Sequence, residues 1–258
     1  MQAEYAPIPA LERAAQVLQV VLESPSGLPA KHIAAACPAV PKTSFYRLLS
    51  ALVASGFLMF DAQRSVYCAG ELFTRAYESQ DQRLQVLLRV AQPHLEQLAQ
   101  AARETVKLNV LSRDMCCVMR TVPGPQRIRI TVDEGTNYPL HTGAAGKILL
   151  AAQGAGAVHR YFAGPVKRYT PHTLVTEQEF WQAMAVIEKQ GYAVDPGEYI
   201  PEIGAVACPV YDAHGRVAAA VSIAYPNQLR GPAAVRQLAA LLVAATAAIS
   251  QEFQKEYI

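Results

Sequence analysis

The stretch at residues 38–57 reads PAVPKTSFYRLLSALVASGF and has the pattern of one amphipathic helix. Pro41 suits the first turn of a helix, where its missing N–H would be unpaired anyway, and Gly56 suits a left-handed stop just past the end. Apolar side chains recur at steps of three and four residues and predict a buried face made of Phe45, Leu48, Leu49, Leu52 and Val53. Polar side chains crowd the start of the helix, namely Lys42, Thr43, Ser44, Tyr46 and Arg47. A recognition helix that enters the major groove of DNA presents such a cluster to the bases.

Two shorter helical patterns precede this stretch, and a hairpin pattern follows it. The first helix ends at the SPSG of residues 24–27, and its predicted buried face consists of Leu11, Ala14, Ala15, Leu18, Val21 and Leu22. Pro29 opens the second helix, which runs to Ala36. After the main helix, two short apolar runs flank the polar corner at residues 61–65 and predict a β-hairpin. Three helices and a hairpin in this order predict a winged helix-turn-helix over residues 8–70.

The predicted DNA-facing surface carries a small local excess of positive charge. The net charge of the whole chain is only +2, so a surface that binds nucleic acid must be local. Within residues 24–68 one carboxylate, Asp61, stands against four cationic side chains, Lys31, Lys42, Arg47 and Arg64. So few phosphate contacts give only weak affinity for each subunit. A dimer doubles the number of contacts. Charge alone also fits an ordinary solvated helix face, and it is the order of helices and hairpin that favours DNA binding.

The rest of the chain predicts a linker helix and then an α+β domain. A helical pattern begins at Glu71 and continues to about Leu88, and Pro93 is expected to start a separate helix. Strands are predicted at residues 106–110 and 116–119, around a turn at 112–114. We therefore expect a linker helix at residues 71–90 and a second domain at residues 91–258.

Further strands and helices are predicted within this second domain. Alternation from Arg127 to Val132 is typical of a strand with one buried side. Thr176 and Glu179 form a capping-box pattern at the start of a helix that Gly191 ends. Two apolar strands separated by a turn, followed by a closing helix, are predicted at residues 206–211, 217–225 and 235–253.

Several classes of protein are disfavoured. The five cysteines are odd in number and form no CxxC pair, so we expect reduced thiols without a disulfide framework or a zinc site. The apolar run at residues 238–249 falls short of a bilayer span, and the first residues lack a signal pattern, so we expect a cytoplasmic protein without a membrane partner. The sequence contains no GxSxG or HExxH motif and suggests no cofactor.

A candidate ligand-binding loop lies at residues 143–146, GAAG. It resembles a phosphate-binding loop only superficially, because Ile148 follows Lys147 where Ser or Thr is required. Backbone N–H groups at such a helix start still suit a carboxylate or another anion, although a tight entry into a helix explains the same glycines. We also consider an enzyme that uses His141, Asp195 and Glu198 as acid and base, and a module that binds only other proteins. Little in the sequence favours either alternative.

With these residues in view, the chain resembles the IclR family of bacterial transcriptional regulators from its first helix to its last. The resemblance rests on the main helix at residues 38–57, on QPHLEQLAQAARETVKLNVL at 92–111, on YPLHTGAAGKILLA at 138–151, and on GYAVDPGEYIPEIGAVACPVYDAHGRVAAAVSIAYP at 191–226. It implies a two-domain α+β protein with an N-terminal winged helix-turn-helix, a linker helix and a C-terminal GAF-like effector-binding domain with a mainly antiparallel sheet. It also implies no catalysis, a pseudo-palindromic double-stranded DNA operator, and a homodimer or dimer of dimers.

The resemblance also implies two sets of binding residues. The DNA-binding set comprises Lys31, Lys42, Thr43, Ser44, Tyr46, Arg47 and Arg64, and the effector-binding set comprises Ile130, Tyr138, Ala144, Ala145, Asp195, Ala205 and Ser222. The implied effector is a small organic molecule, a carboxylate or an aromatic acid. Two departures from the family are Gly143, where Thr or Ser is usual, and Ala205, where Cys or a polar residue is common. These departures predict a pocket with fewer small polar groups and hence a less polar or larger effector.

Overall fold

The computed structural model describes residues 8–229 and 231–256. The chain divides between Leu84 and Gln85 into two compact units. Each unit has its own hydrophobic core.

The N-terminal unit is a winged helix-turn-helix, which confirms the predicted fold class. Its helices are α1 (Pro9–Leu22), α2 (Ala30–Ala36) and α3 (Lys42–Ala54). The wing is an antiparallel hairpin of β1 (Leu58–Asp61) and β2 (Val66–Ala69). The core includes Val17, Val21, Ile33, Phe45 and Leu49. Gly56 follows the end of α3 with a φ of 74°, a left-handed conformation that glycine adopts without strain.

The buried face of α1 differs from the one predicted. Leu11 and Leu22 are 57% and 44% exposed, whereas Val17, which was left out of the predicted face, is fully buried. Ala14 and Leu18 pack beside Val17 and Val21 on a stripe with steps of three and four residues. Leu22 lies about 100° around the helix from Val21 and therefore points away from this stripe.

The helix α4 (Glu71–Ala102) is continuous over 32 residues, with Pro93 inside it. The prediction that Pro93 starts a separate helix is therefore wrong. A proline within a helix removes one backbone hydrogen bond and strains the preceding turn. Packing outweighs this cost, because apolar residues on both sides of Pro93 are buried, among them Leu87, Ala91, Leu95 and Leu98. The division between the two units falls within this helix.

The C-terminal unit is built on a six-stranded antiparallel sheet with strand order β5-β4-β3-β8-β7-β6. Its strands are β3 (Thr105–Ser112), β4 (Met115–Val122), β5 (Asn137–Pro139), β6 (Ala193–Asp195), β7 (Ile203–Tyr211) and β8 (Val217–Pro226). The mainly antiparallel sheet and the turn between β3 and β4 are as predicted. In that turn Arg113 and Asp114 both have positive φ.

Helices cover both faces of this sheet. They are α5 (Gly143–Ala151), α6 (Ala155–Ala163), α7 (Glu177–Gln190) and α8 (Pro232–Lys255). Ala205 and Ala207 of β7 belong to the core cluster that contains α5, whereas Cys208 faces the other way and contacts Thr246 of α8. The predicted capping box at the start of α7 is present. The sequence analysis did not predict α6, β5 or β6.

Among the described residues α8 alone is long and apolar enough to cross a bilayer. The apolar run at residues 238–249 is by itself too short for this, but the helix extends beyond that run at both ends. Packing explains part of its composition, because Leu238, Leu242, Ile249 and Phe253 are buried.

Arg127–Val132 does not form the predicted strand. Residues 123–136 have no regular secondary structure, and Ile128 is 95% exposed. The edge of β4 pairs instead with β5, where Cys116 lies opposite Tyr138. The carbonyl oxygen of Ile130 accepts a hydrogen bond of 2.5 Å from the Thr105 hydroxyl, which fixes the segment against the start of β3.

Candidate functional site

The first candidate site is the polar surface at the start of α3. Lys42, Thr43, Tyr46 and Arg47 are exposed there. Ser44 is partly buried, and its hydroxyl donates a 3.2 Å hydrogen bond to the carbonyl oxygen of Pro41. Tyr46 is 66% exposed although its ring packs edge-on against Phe45. Phe45 and Leu49 turn the opposite face of α3 into the core, so the helix presents its polar side to solvent.

The wing carries a further cation. Asp61 shapes the turn between β1 and β2, because one of its carboxylate oxygens accepts the backbone N–H groups of Gln63 at 2.9 Å and Arg64 at 3.1 Å. Ser65 completes the turn with a φ of 53°. Arg64 is exposed at the tip, and Lys31 on α2 is exposed as well. The single carboxylate within residues 24–68 is thus engaged with the backbone of the wing.

The second candidate site is a cavity of about 70 Å³ in the C-terminal unit. This space holds about five water molecules at roughly 15 Å³ each, which is the scale of a small organic molecule. The floor includes a row of directly opposed residues across the sheet, running from Ala224 through Ala205 to Asp195. Side chains of directly opposed residues share a face, so this row turns toward the cavity together.

All seven predicted effector-binding residues line this one cavity, although they come from six separate segments. They are Ile130, Tyr138, Ala144, Ala145, Asp195, Ala205 and Ser222. Several further lining residues were not predicted from the sequence, among them Lys107, Asn109, Cys116 and Tyr199. A signal for the first two was present, because Lys107 and Asn109 alternate with buried Val106 and Leu108 along β3. Polar residues at every second position of a buried strand point to a polar cavity on that face.

The start of α5 forms one wall of the cavity. Thr142, Gly143, Ala144, Ala145 and Gly146 all line it. The residue before the helix, Thr142, makes no side-chain cap, and the backbone N–H of Gly143 bonds toward the Glu198 carboxylate and lowers its pKa. Backbone N–H groups in the first turn of a helix have no partner within the helix and favour negative charge. Gly146 permits the tight entry, because a Cβ atom there would lie 2.8 Å from the carbonyl oxygen of Leu140.

The polar groups of the cavity are arranged by short hydrogen bonds. One oxygen of Asp195 accepts the N–H groups of Gly197 at 2.8 Å and Glu198 at 2.6 Å, and burial raises the pKa of Asp195. The side-chain amide of Asn109 donates to the Ser222 hydroxyl at 3.0 Å. The Ser222 oxygen therefore acts as an acceptor there, which leaves its own proton available to a ligand. The sequence prediction of a less polar pocket overlooked Lys107 and Asn109.

A buried ion pair lies next to the cavity. Lys147 of α5 pairs with Glu198, and the Lys147 ammonium also donates to the carbonyl oxygen of Val194 at 2.8 Å. Both side chains are 3% exposed. Burial raises the pKa of Glu198 to about 7, while the charge of Lys147 lowers it and the charge of Asp195 raises it. The pair ties α5 to the segment that carries Asp195.

His141 has a structural role. One ring nitrogen lies 2.8 Å from the Tyr161 hydroxyl and the other 2.9 Å from the carbonyl oxygen of Lys167, and burial lowers the pKa of His141. A carbonyl oxygen can only accept, so the second nitrogen carries the proton and the first accepts from Tyr161. Neither His141 nor Glu198 lines the cavity, whereas Asp195 does. The structure therefore does not bring the three residues of the enzyme alternative together around the cavity.

No metal site is formed by the residues that the structure describes, since none of their His, Cys, Asp and Glu side chains gather in groups of three or more. All five cysteines fall within the described ranges and are free thiols.

Both parts of the chain match a known family. Residues 10–62 match the IclR helix-turn-helix domain, and residues 82–251 match the bacterial transcriptional regulator IclR C-terminal domain. The HTH-type transcriptional regulator BhcR of Paracoccus denitrificans (strain Pd 1222) is 30% identical over 221 residues, which cover 85% of this chain and 78% of BhcR.

Solved structures share the fold. An IclR transcriptional regulator from Alicyclobacillus acidocaldarius is 25% identical, with a TM-score of 0.61 over 96% of this chain and 100% of that chain. An IclR homologue from Microbacterium hydrocarbonoxydans, complexed with 4-hydroxybenzoate, is 22% identical, with a TM-score of 0.60 over 95% of this chain and 99% of that chain.

A winged helix-turn-helix followed by a separate sheet unit, both matched to regulator domains, defines a DNA-binding transcriptional regulator and not an enzyme. The chain belongs to the IclR family of bacterial transcriptional regulators.

Proposed function

We propose that this regulator responds to a small organic acid, which binds in the cavity of the C-terminal unit and changes the affinity for operator DNA. The observation that carries the proposal is the convergence of seven residues from six segments on one cavity at the start of α5. An effector acts by binding more tightly to one of two conformations that differ in DNA affinity. A coupling free energy of about 1–3 kcal/mol is typical of such regulators and changes affinity by roughly 5- to 150-fold.

On the DNA side, residues 8–70 bind the operator. The contacting residues are Lys31, Lys42, Thr43, Ser44, Tyr46, Arg47 and Arg64. Exposure of six of these side chains and partial exposure of Ser44 support the assignment. The local excess of positive charge is small, so affinity requires two units, and we expect a homodimer or dimer of dimers on a pseudo-palindromic operator in the cytoplasm. Residues 71–90 act as the linker and residues 91–258 as the sensor.

On the effector side, the cavity suits a carboxylate or an aromatic acid. The cavity favours an anion, because Lys107 is a cation in its lining and backbone N–H groups at the start of α5 border it. Tyr138 and Tyr199 pack edge to face with ring centres 5.4 Å apart and supply an aromatic wall. The homologue complexed with 4-hydroxybenzoate makes that acid a reasonable first probe.

DNA binding is tested by gel shift on the DNA upstream of the gene. We expect a specific complex that weakens as salt rises. Arg47→Ala lowers affinity by at least about fivefold if it contacts a base, or lowers the salt dependence by about one unit if it contacts a phosphate. Arg160→Ala is the matched control, because Arg160 is an exposed arginine of the C-terminal unit. The proposal fails if no specific, salt-sensitive complex forms.

Effector response is tested by footprinting the same DNA with and without small carboxylic and aromatic acids, 4-hydroxybenzoate included. At least one acid should change the affinity for the operator by roughly 5- to 150-fold. Ala145→Leu fills part of the cavity and should abolish the response while leaving effector-free DNA binding intact. Ala152→Leu, at the exposed end of the same helix, should leave the response unchanged. Equal loss of response in both variants would contradict the assignment of the cavity.

A further inference from the structure

Lys107 is the only cationic side chain among the described residues that line the cavity. It extends from β3 opposite Ser222, so its side chain points to the same face as the other floor residues. Its ammonium lies 5.3 Å from the centre of the Tyr138 ring. It makes no hydrogen bond or ion pair with any residue that the structure describes. Lys107 is half-buried, and burial lowers its pKa.

Asp195 supplies an opposite charge from the far side of the cavity. Lys107 lies on β3 and Asp195 on β6, and two strands, β8 and β7, lie between them in the sheet. Asp195 is buried, and one carboxylate oxygen is already occupied by two backbone N–H groups. The other oxygen lies near Gly143, at the start of α5. The Asp195 carboxylate partly offsets the fall in the pKa of Lys107, so the two charges attract each other, yet they form no direct ion pair.

Two separated opposite charges in one cavity define what can occupy it. A half-buried charge such as that of Lys107 has lost part of its hydration, and a bound group of opposite charge recovers part of that cost. A carboxylate that carries no hydrogen-bond donor would pair with Lys107, but it would add negative charge near Asp195 without bonding to it. A neutral molecule would leave Lys107 without a partner. The walls between the charges are mainly apolar or aromatic and include Ile130, Tyr138 and Ala205.

We infer that the effector is a small carboxylate that also carries a hydrogen-bond donor, with its carboxylate at Lys107 and its hydroxyl or ammonium group at the free oxygen of Asp195. This inference rests on the proposed function of the cavity and names the chemical class of its ligand. The cavity of about 70 Å³ accommodates the charged and polar groups of such a ligand. Lys107 is then the residue that selects acids over their neutral analogues, and Asp195 selects hydroxy or amino acids over simple acids.

Calorimetry on the full chain with two matched sets of probes tests this selectivity. The first set is lactate, propionate and lactamide, and the second is 3-hydroxybutyrate, butyrate and 3-hydroxybutyramide. In at least one set the hydroxy acid should bind at least about tenfold more tightly than both analogues. The simple acid lacks the hydroxyl that bonds to Asp195, and the amide lacks the charged carboxylate that bonds to Lys107. The corresponding amino acids, alanine and 3-aminobutyrate, distinguish an ammonium donor from a hydroxyl. Equal binding of acid, amide and hydroxy acid would overturn the inference, and so would the absence of millimolar binding by every probe.

Variants assign the selectivity to the two residues. Lys107→Met should weaken binding of the hydroxy acid by at least about thirtyfold and barely affect the amide, whereas Lys107→Arg should retain the preference for the acid. Asp195→Asn keeps an acceptor for the N–H groups of Gly197 and Glu198, and it should reduce the preference for the hydroxyl. Lys167→Met is the matched control, because Lys167 lies 5.0 Å above the Tyr169 ring outside the cavity.

The outcome is separable from that of the proposed function. Acids that alter operator binding equally in the parent and in Lys107→Met would overturn this inference and leave the proposed function intact. Hydroxy acids that bind through Lys107 without altering operator binding would support the inference and contradict the proposed function.

Discussion

Replacing Lys147 by methionine should strongly destabilise the C-terminal unit. Methionine keeps the length and most of the volume of the side chain but removes the charge. Glu198 then loses its ion pair, and the carbonyl oxygen of Val194 loses a 2.8 Å charged hydrogen bond. The second carboxylate oxygen of Glu198 is already without a hydrogen-bond partner among the described residues. Breaking one side of a pair this buried costs about 3–5 kcal/mol of unfolding free energy.

The assay is urea unfolding of the full chain at pH 8, which lies above the pKa of about 7 of Glu198 and keeps that carboxylate ionised in the parent. The free energy of unfolding in urea should fall by about 3–5 kcal/mol, and the midpoint of thermal unfolding by about 6–20 °C, since 1 kcal/mol corresponds to roughly 2–4 °C in a unit of this size. Arg89→Met is the matched control. It breaks an exposed 2.9 Å pair with Glu256 in the same unit and should cost less than about 1 kcal/mol.

A double variant separates the lost pair from lost packing. Lys147→Met combined with Glu198→Leu removes both charges, and well-packed apolar replacements of a buried pair are often neutral. We therefore expect the double variant to be more stable than Lys147→Met alone. If Lys147→Met costs less than about 1 kcal/mol, or if the two substitutions simply add, the pair does not stabilise the loop that carries Asp195 in the way described.

Three further predictions concern stability. Because the pKa of Glu198 is raised from 4.5 to about 7, its stabilising contribution is complete below pH 4.5 and is lost as pH rises to about 7. Glu198→Gln should remove a decline of up to about 3 kcal/mol between pH 4.5 and 7, measured by urea unfolding against the parent; an unchanged decline would contradict the assignment. Leu49→Ala should destabilise the N-terminal unit by about 2–5 kcal/mol in the same assay, whereas exposed Ser50→Ala should have little effect. Thr176→Ala removes the cap of α7 and should cost about 1 kcal/mol, and no measurable cost would show that the capping box is redundant.

Local chemistry made much of the fold predictable from the sequence. Gly56 and the capping residues Thr176 and Glu179 act on their immediate neighbours, and the structure confirms what they predict. The helix at residues 38–57 was predicted with its buried face, because one continuous apolar stripe defines it. Pro93 shows the limit of such local rules, since the burial of distant parts of α4 decides whether the helix continues.

The candidate cavity depended on long-range pairing that periodicity does not encode. Its seven predicted residues came from resemblance to a family, which carries the tertiary arrangement implicitly. Lys107 alternates with apolar Val106 and Leu108 in the sequence, but it was missed because only its neighbours across the sheet show that its face borders a cavity. The apolar and polar residues of Arg127–Val132 alternate as in a strand, but no strand forms there. The edge of β4 is already paired with β5, and Ile130 lines the cavity instead.

The thiol of Cys116 lies on the cavity wall, and its protonation state determines how it reacts with molecules that enter. Burial raises the pKa of Cys116 to about 12, so the sulfur stays protonated at neutral pH. Because only the thiolate is an effective nucleophile, oxidants and alkylating metabolites that enter the cavity react with this sulfur slowly. Exposure to such compounds therefore leaves no lasting mark at this position. Toward a molecule in the cavity, Cys116 therefore acts as an apolar part of the wall and not as a reactive group.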